Sequence, residues 1–525
     1  MVISDEHQFF SIIDLPNEIQ LQVFEYLDLK TRLIASRVCR LWNALAFTGR
    51  LMGEICVHLN LKERNLARTI DVLGSSARRY RHVVINFSNS SFSSVDTLAD
   101  ILSVNDALET LVLTGISRIE TDQLFKLLEN VPNLVRMFLL GDAVDEYSKM
   151  NLLELPKCHV TGIPVGAHPR WIETFPVDSS VVLRSLDNLC LLSPTLSSSD
   201  GLQCIPYICP NIRRLQITGT DASVAAMFEH FHNKLEKISI ISPQRDFFLQ
   251  FCNINFPKLS SLYVDRMELH DQESVTSGIA FFTERCTNLE RLVLHPKFMI
   301  RTPIFTTICT NCVALQKLEL SLDYLDGDAL KNVTNLQNLK ALTFQGTAYF
   351  RETARWPYQI GSLVAVKIAG SRFPLTLLEF IADIAPNLNA LALEDVENPE
   401  EMFRILPSMV GHIRHLELGY SARFERPPSC HPSGLLRSLD NLETYSLRRV
   451  IIKHGIQGWL QDAPHLKWVL LASCATLTDT HLVILTTNCP KLRQLTIRDC
   501  CSITQKGIDE FKMRIPLCRI SGDWQ

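Results

Sequence analysis

The sequence has no long apolar run. Stretches such as Val181–Leu183 and Val469–Ala472 fall far short of the ~20 residues a membrane-spanning helix requires, so no such segment is expected. No charge of one sign dominates. The 52 Lys and Arg stand against 56 Asp and Glu, and a formal net charge of −4 gives no global pull toward nucleic acid or anionic membrane. No Gly-x-x-x-x-Gly-Lys loop, Gly-x-Gly-x-x-Gly element or His-Glu-x-x-His pair occurs, which removes the common phosphate, dinucleotide and zinc-hydrolase signatures. A glutamine tract, an acidic tail and low-complexity runs are also lacking. Met1–His7 is acidic and polar, without a basic segment leading into an apolar one, so no secretory signal is expected. A cytoplasmic or nuclear location and reduced thiols at the 16 cysteines follow as expectations.

Those cysteines offer little chemistry. Cys309 and Cys312 form a Cys-x-x-Cys pair, but no second pair lies nearby to complete a zinc site. A catalytic cysteine needs a positioned base and a cleft, and nothing in the sequence marks either. No cofactor, metal or catalytic residue is therefore expected.

What the chain does have is a repeat. At 525 residues it is too long for one conventional core, so an array or several domains are expected. One short pattern recurs: an aliphatic residue, two variable residues, an aliphatic, one variable, an aliphatic. Copies begin at Leu108, Leu134, Leu186, Ile212, Leu235, Leu259, Leu289 and Leu315. They continue from Leu339, Leu363, Leu388, Ile413, Leu442, Leu466 and Leu492. From Leu186 onward the copies are spaced by 23 to 30 residues. The 52 residues between Leu134 and Leu186 are twice 26, which suggests a degenerate copy between them, and Val83–Phe87 reads as an earlier strand.

The last two aliphatics of each copy are two apart and share one strand face. Helical apolar spacing at Thr121–Asn130 and Thr478–Asn488 then returns the chain to the next strand. One such unit cannot bury its face alone, whereas stacked units share a continuous core. The expected fold class is α/β: a solenoid whose curved parallel sheet is concave inside and carries helices on its convex side. The pattern resembles leucine-rich repeats of the cysteine-containing subtype. Cys209, Cys286, Cys312 and Cys489 each stand three residues before a copy, in a column that elsewhere holds Val131, Ala385 and Ala463. Cys474 and Cys500 occupy a second column. Residues 141–182 and 419–434 break the rhythm, are rich in proline, and read as projecting loops, the first containing His168 and Trp171.

Ahead of the repeats, residues 11–52 predict three short helices. Pro16 suits a first helical turn. Ile19, Val23 and Leu27 make an apolar stripe that Phe24 widens, and a second helix carries Leu33, Val38, Leu41 and Trp42. So small a core calls for a partner to cover its apolar face. The segment resembles an F-box. It meets that family's pattern at Leu15, Pro16, Glu18, Ile19, Phe24, Tyr26, Leu27, Val38, Cys39, Arg40 and Trp42, and departs at Gln20, where an aliphatic residue is usual. The resemblance implies docking to a Skp-type adaptor, and through it to cullin and RING subunits, by Leu15, Pro16, Ile19, Phe24, Leu27 and Val38. The expected boundaries are an F-box over residues 1–52, a helical linker over 53–81 and the solenoid over 82–525.

The same resemblance implies a substrate-recognition subunit of an SCF-type ubiquitin ligase, without catalysis of its own. An adaptor-bound scaffold and a ligand-sensing receptor are the alternatives. For the target, strand alternation turns one column outward. Its basic members Arg136, Arg214, Lys237, Arg291 and Lys317, with Trp468 farther on, are the candidate substrate-binding residues. If they form a groove, Arg214, Lys237, Arg291 and Lys317 stand side by side and suit an acidic or phosphorylated target. The same column also reads as ordinary solubility and edge protection. Three alanines, Ala341, Ala365 and Ala390, follow it.

Overall fold

The computed structural model describes residues 12, 15–52, 55–60, 80–86, 102, 107–114, 131, 133–140, 184–192, 205–218, 224–265, 272–294, 300–324, 327–346, 358–369, 375–395, 412–419, 429–430, 441–449, 451–452 and 463–522. The proposed helix at Thr121–Asn130, the loop over 141–182 with His168 and Trp171, and most of 419–434 lie outside these residues. The chain divides into two compact units, Met1–Leu235 and Glu236–Gln525.

The first unit opens with four short helices: α1 (Asn17–Tyr26), α2 (Leu29–Ala35), α3 (Arg40–Ala46) and α4 (Gly49–Met52). A parallel ladder follows, its first strand positions in register as Cys56, His82, Thr110, Arg136, Asn188 and Arg214. Two expectations change here. Strand Cys56–Asn60 falls inside the segment read as a helical linker and pairs along its length with His82–Asn86, so the ladder begins before residue 82. Cys-Val-His-Leu-Asn alternates too briefly to announce itself as a repeat. Strand Arg136–Leu140 pairs directly with Asn188–Leu192. In the ladder these two strands are therefore neighbours, with no strand of the expected degenerate copy between them.

In the second unit the column runs Lys237, Ser261, Arg291, Lys317, Ala341, Ala365, Ala390, His415, Thr444, Trp468, Gln494 and Arg519. Every pairing is parallel. Burial alternates along Lys237–Ile241, Ala365–Ala369 and Ala390–Glu394, which places one residue in two on the covered face. On that face helix side chains meet strand side chains. Phe248, Phe251, Ile279 and Phe282 from the helices Arg245–Asn253 and Gln272–Arg285 share an apolar space with Leu262, Leu292 and Leu294 from the strands. The rings of Phe251 and Phe282 lie 5.5 Å apart, nearly parallel.

Two recurring details hold the register. The cysteine column closes the turn from helix to strand: the N–H of Cys286 donates to Phe282 O, and the N–H of Leu289 donates to Cys286 O. Cys312 with Leu315, Cys489 with Leu492, and Ala385 with Leu388 repeat the arrangement. The second detail sits at the strand exits. Ser242, Asp395, Arg449 and Ser473 take left-handed φ values of 52 to 61°. Their N–H groups donate to the carbonyls of Asp265, Gly419, Ala472 and Arg498, the end of the next strand in each case. The sequence gives no glycine signal there, because the hydrogen bond holds an ordinary residue in a conformation costing roughly 1–2 kcal/mol.

Cys209, Cys286, Cys312 and Cys489 are buried free thiols. Burial pushes Cys209, Cys312 and Cys489 up to about 12 and Cys286 up to about 11, so they stay protonated and unreactive at neutral pH. Cys286→Ala is expected to cost about 1–2 kcal/mol, the usual scale for a modest core truncation, measurable as a shift in the chemical denaturation midpoint. Folded protein should resist thiol alkylation at this column. Rapid labelling of Cys286 would contradict the packing.

Candidate partner-binding surfaces

Two surfaces offer themselves to partners. The first is helical. Pro16 precedes α1, and its carbonyl accepts from the N–H groups of Ile19 and Gln20. Asp28 caps α2 by accepting from the N–H of Thr31 at 2.7 Å, and hydrogen bonding to Thr31 lowers its pKa from the ordinary carboxylate value. The Cys39 thiol caps α3 through the N–H of Trp42 at 3.4 Å. The single second helix expected across Leu33–Trp42 is thus two helices, with Val38 in the turn between them.

The core of this unit is small: Phe24, Leu45, Ala46 and Leu51, with Leu21, Leu27, Ala35, Trp42 and Phe47 partly buried around them. Phe24 meets Trp42 edge to face at 5.6 Å. Gln20, where the resemblance called for an aliphatic residue, is 2 % exposed. Its amide donates to Leu15 O at 2.7 Å and accepts from the indole N–H of Trp42 at 2.9 Å. The departure is therefore a satisfied buried link between the start of α1 and α3. Arg32 plays a similar part, donating to Leu27 O at 2.9 Å and to Leu51 O at 3.4 Å.

Of the expected adaptor-facing residues, Leu15, Pro16, Ile19 and Val38 are exposed and Leu27 is half-buried. Phe24 is not on the surface. At 3 % exposure it belongs to the domain's own core, because α1 turns that face toward α3. Sequence reasoning missed Tyr26, Ile34 and Leu41 as surface residues. Among the described residues, ten of the sixteen exposed large apolar side chains fall between Ile12 and Leu41, a density that marks an interaction face.

The second surface is the open face of the ladder. The expected row of four basic residues does not form. Arg291 and Lys317 are direct neighbours, but Ser261 stands between Lys237 and Arg291, and Asn188 stands between Arg136 and Arg214. Arg214 and Lys237 belong to different units. The charges are also partly neutralised. Lys317 pairs with Glu319 at 3.2 Å, Lys367 with Glu394 at 2.8 Å and Arg448 with Glu417 at 3.1 Å. Beyond Lys317, the alanines leave a depression of about 210 Å³, walled by Lys367, His415, Glu417 and the half-buried Trp468.

Residues 12–58 match the F-box-like family. Mouse F-box/LRR-repeat protein 21 is 26% identical over 251 residues, covering 43% of this chain and 50% of that protein. The chain thus matches about half the length of that relative. Among solved structures, the yeast Rad7 and Elc1 complex aligns over 97% of this chain and 93% of that one, at 14% identity and TM-score 0.35. The TLR13–ssRNA13 complex aligns over 82% and 49%, at 16% identity and TM-score 0.37. An F-box-like helical domain placed ahead of a parallel repeat ladder defines the class. The chain carries an F-box-like domain and is similar to an F-box/LRR-repeat protein.

The Gln20 link makes a prediction about this domain. Gln20→Ala leaves the indole N–H of Trp42 and the carbonyl of Leu15 without their partner, and should cost about 1–3 kcal/mol. Trp42→Phe should suppress part of that cost in a double-mutant cycle. Strict additivity of the two changes would exclude the coupling.

Proposed function

We propose that this chain is the substrate-binding, non-catalytic subunit of an SCF-type ubiquitin ligase. The F-box-like domain would dock a Skp-type adaptor, and through it cullin and RING subunits, while the repeat ladder holds the protein to be modified. The observation that carries this reading is the imbalance of the helical domain. It exposes more large apolar side chains than it buries, and a domain so built is completed by a partner. Each large side chain that an adaptor covers is worth roughly 1.5–3 kcal/mol of transfer free energy, so a few of them can hold the interface. Leu15, Pro16, Ile19 and Val38 are the contacts expected from the resemblance, and Tyr26, Ile34 and Leu41 extend the same supply. The ladder would contribute proximity rather than chemistry, raising the effective concentration of a bound target beside an enzyme recruited elsewhere.

Co-purification of the adaptor with two variants tests the docking half. Leu15→Ala with Pro16→Ala keeps the backbone carbonyls that organise the start of α1, and should reduce adaptor recovery at least tenfold. Ile34→Asp with Val38→Asp, at positions outside the core, should do the same. Full adaptor binding by both variants would sink the assignment. For the ligase half, a partner held by the ladder should accumulate in ubiquitylated form when the proteasome is inhibited, and only with the unmutated F-box.

A further inference from the structure

The open face of the second unit carries a charge and a gap side by side. Arg291 is exposed and, among the described residues, has no ion-pair partner. Its register neighbour Lys317 reaches only Glu319. The next members of the column are Ala341, Ala365 and Ala390, which stop at Cβ. Longer side chains resume at His415, Thr444 and Trp468. The result is a depression with an alanine floor and an aromatic wall.

Its size decides what could enter. About 210 Å³ is below the ~300–1,000 Å³ of small-molecule and cofactor sites. It is the scale of one large side chain. Its acid and base walls are occupied: Lys367 is held by Glu394 and Glu417 by Arg448. The His415 imidazole is hydrogen-bonded through Nδ1 to Thr444 Oγ1 at 2.8 Å. The depression therefore offers apolar contact and an indole ring, not a second charge. Among the described residues of this column on the open face, Arg291 is a cation without an ion-pair partner, and it calls for an anion.

We infer that this face binds an extended segment of a partner protein that places a carboxylate or phosphate at Arg291 and Lys317 and a large apolar or aromatic side chain on Ala365 and Ala390. The spacing follows from the ladder. Arg291 and Ala365 are three strands apart, which is roughly 14 Å at ~4.8 Å per strand. A segment crossing the strands in extended form covers that in about four residues. The anchor would supply most of the affinity, as aromatic residues in central pockets do. The anion would fix direction and register. This inference rests on the ladder being the target-binding part of the proposed ligase subunit, and it names the kind of segment bound.

A random dodecapeptide display library selected on the full-length chain tests it. The expected enrichment is an Asp or Glu about four residues from Trp, Phe, Leu or Met. The best peptide is then synthesised with its acid as carboxylate, as phosphoserine and as the neutral amide. The amide should bind at least tenfold more weakly, and comparison of the other two identifies the preferred anion. Arg291→Glu should weaken the acidic peptide at least tenfold and remove its salt dependence. Ala365→Leu and Ala390→Leu, tested separately, fill the depression from an open-face position and should each cost at least tenfold. Circular dichroism confirms that each variant is folded. The inference is overturned if no such pair is enriched, or if enriched peptides bind folded Arg291→Glu and both leucine variants as they bind the parent. Adaptor co-purification is read on the same preparations. Adaptor binding without the peptide motif refutes this groove alone, and the motif without adaptor binding refutes the ligase reading alone.

Discussion

Everything in the repeat portion depends on lateral register between parallel strands. A strand of about five residues, such as Ala365–Ala369, buries only alternate side chains and has no stability alone. Its neighbours must present the same phase, or each apolar side chain moves to the open face. The exit residues Ser242, Asp395, Arg449 and Ser473 enforce that phase by bonding to the end of the next strand. The cysteine column enforces it at the other end, where the helix turns into the strand. Cys474 and Cys500 add thiol donors to Leu447 O and Leu471 O of the preceding strands, both at 3.7 Å. Register is thus fixed by backbone and thiol groups hidden from solvent, which frees the open face to vary.

That freedom explains why the repeat was legible and the binding face was not. The aliphatic positions must recur because they pack, so their period appears in the sequence. Charges on the open face answer to neighbours from other repeats, tens of residues away in the chain. The Lys367–Glu394 and Arg448–Glu417 pairs join adjacent strands, and neither pairing can be read from one copy of the motif. The breaks at Asn188 and Ser261 stand in the column of the sequence itself, but which acid meets which base across the strands does not. The doubled interval between Leu134 and Leu186 misled for a related reason. Arithmetic cannot distinguish a weak repeat from an insertion, whereas the direct pairing of Arg136 with Asn188 can.

The helical domain shows the opposite balance. Its motif residues were readable because their types are unusual together, but their directions were not. Phe24 and Val23 are adjacent in sequence and part of one widened stripe, yet one lies in the core and the other is exposed. The arrangement of α1 against α3 decides between them, and the Phe24–Trp42 contact records that decision. Gln20 carries the same lesson. An apolar residue could fill its place, but the indole N–H of Trp42 would then lose its acceptor in a domain with few other buried groups to compensate.

The two surfaces consequently differ in how they can bind. The helical face exposes ten large apolar side chains between Ile12 and Leu41, interspersed with Glu18, Lys30, Arg37 and Arg40, so the apolar part of its affinity would scale with the area a partner covers. The described open face of the second unit is cross-paired by ion pairs and opens into a depression over the alanines. Most of its charges already have partners, and a ligand that displaced one would have to replace an existing ion pair. If that face binds as proposed, affinity would concentrate where nothing has to be displaced, at Arg291 and over Ala341, Ala365 and Ala390. On the proposed reading, a charge-balanced face of the second unit with the depression over Ala365 and Ala390 would discriminate by excluding segments that lack the right side chain as much as by attracting those that have it.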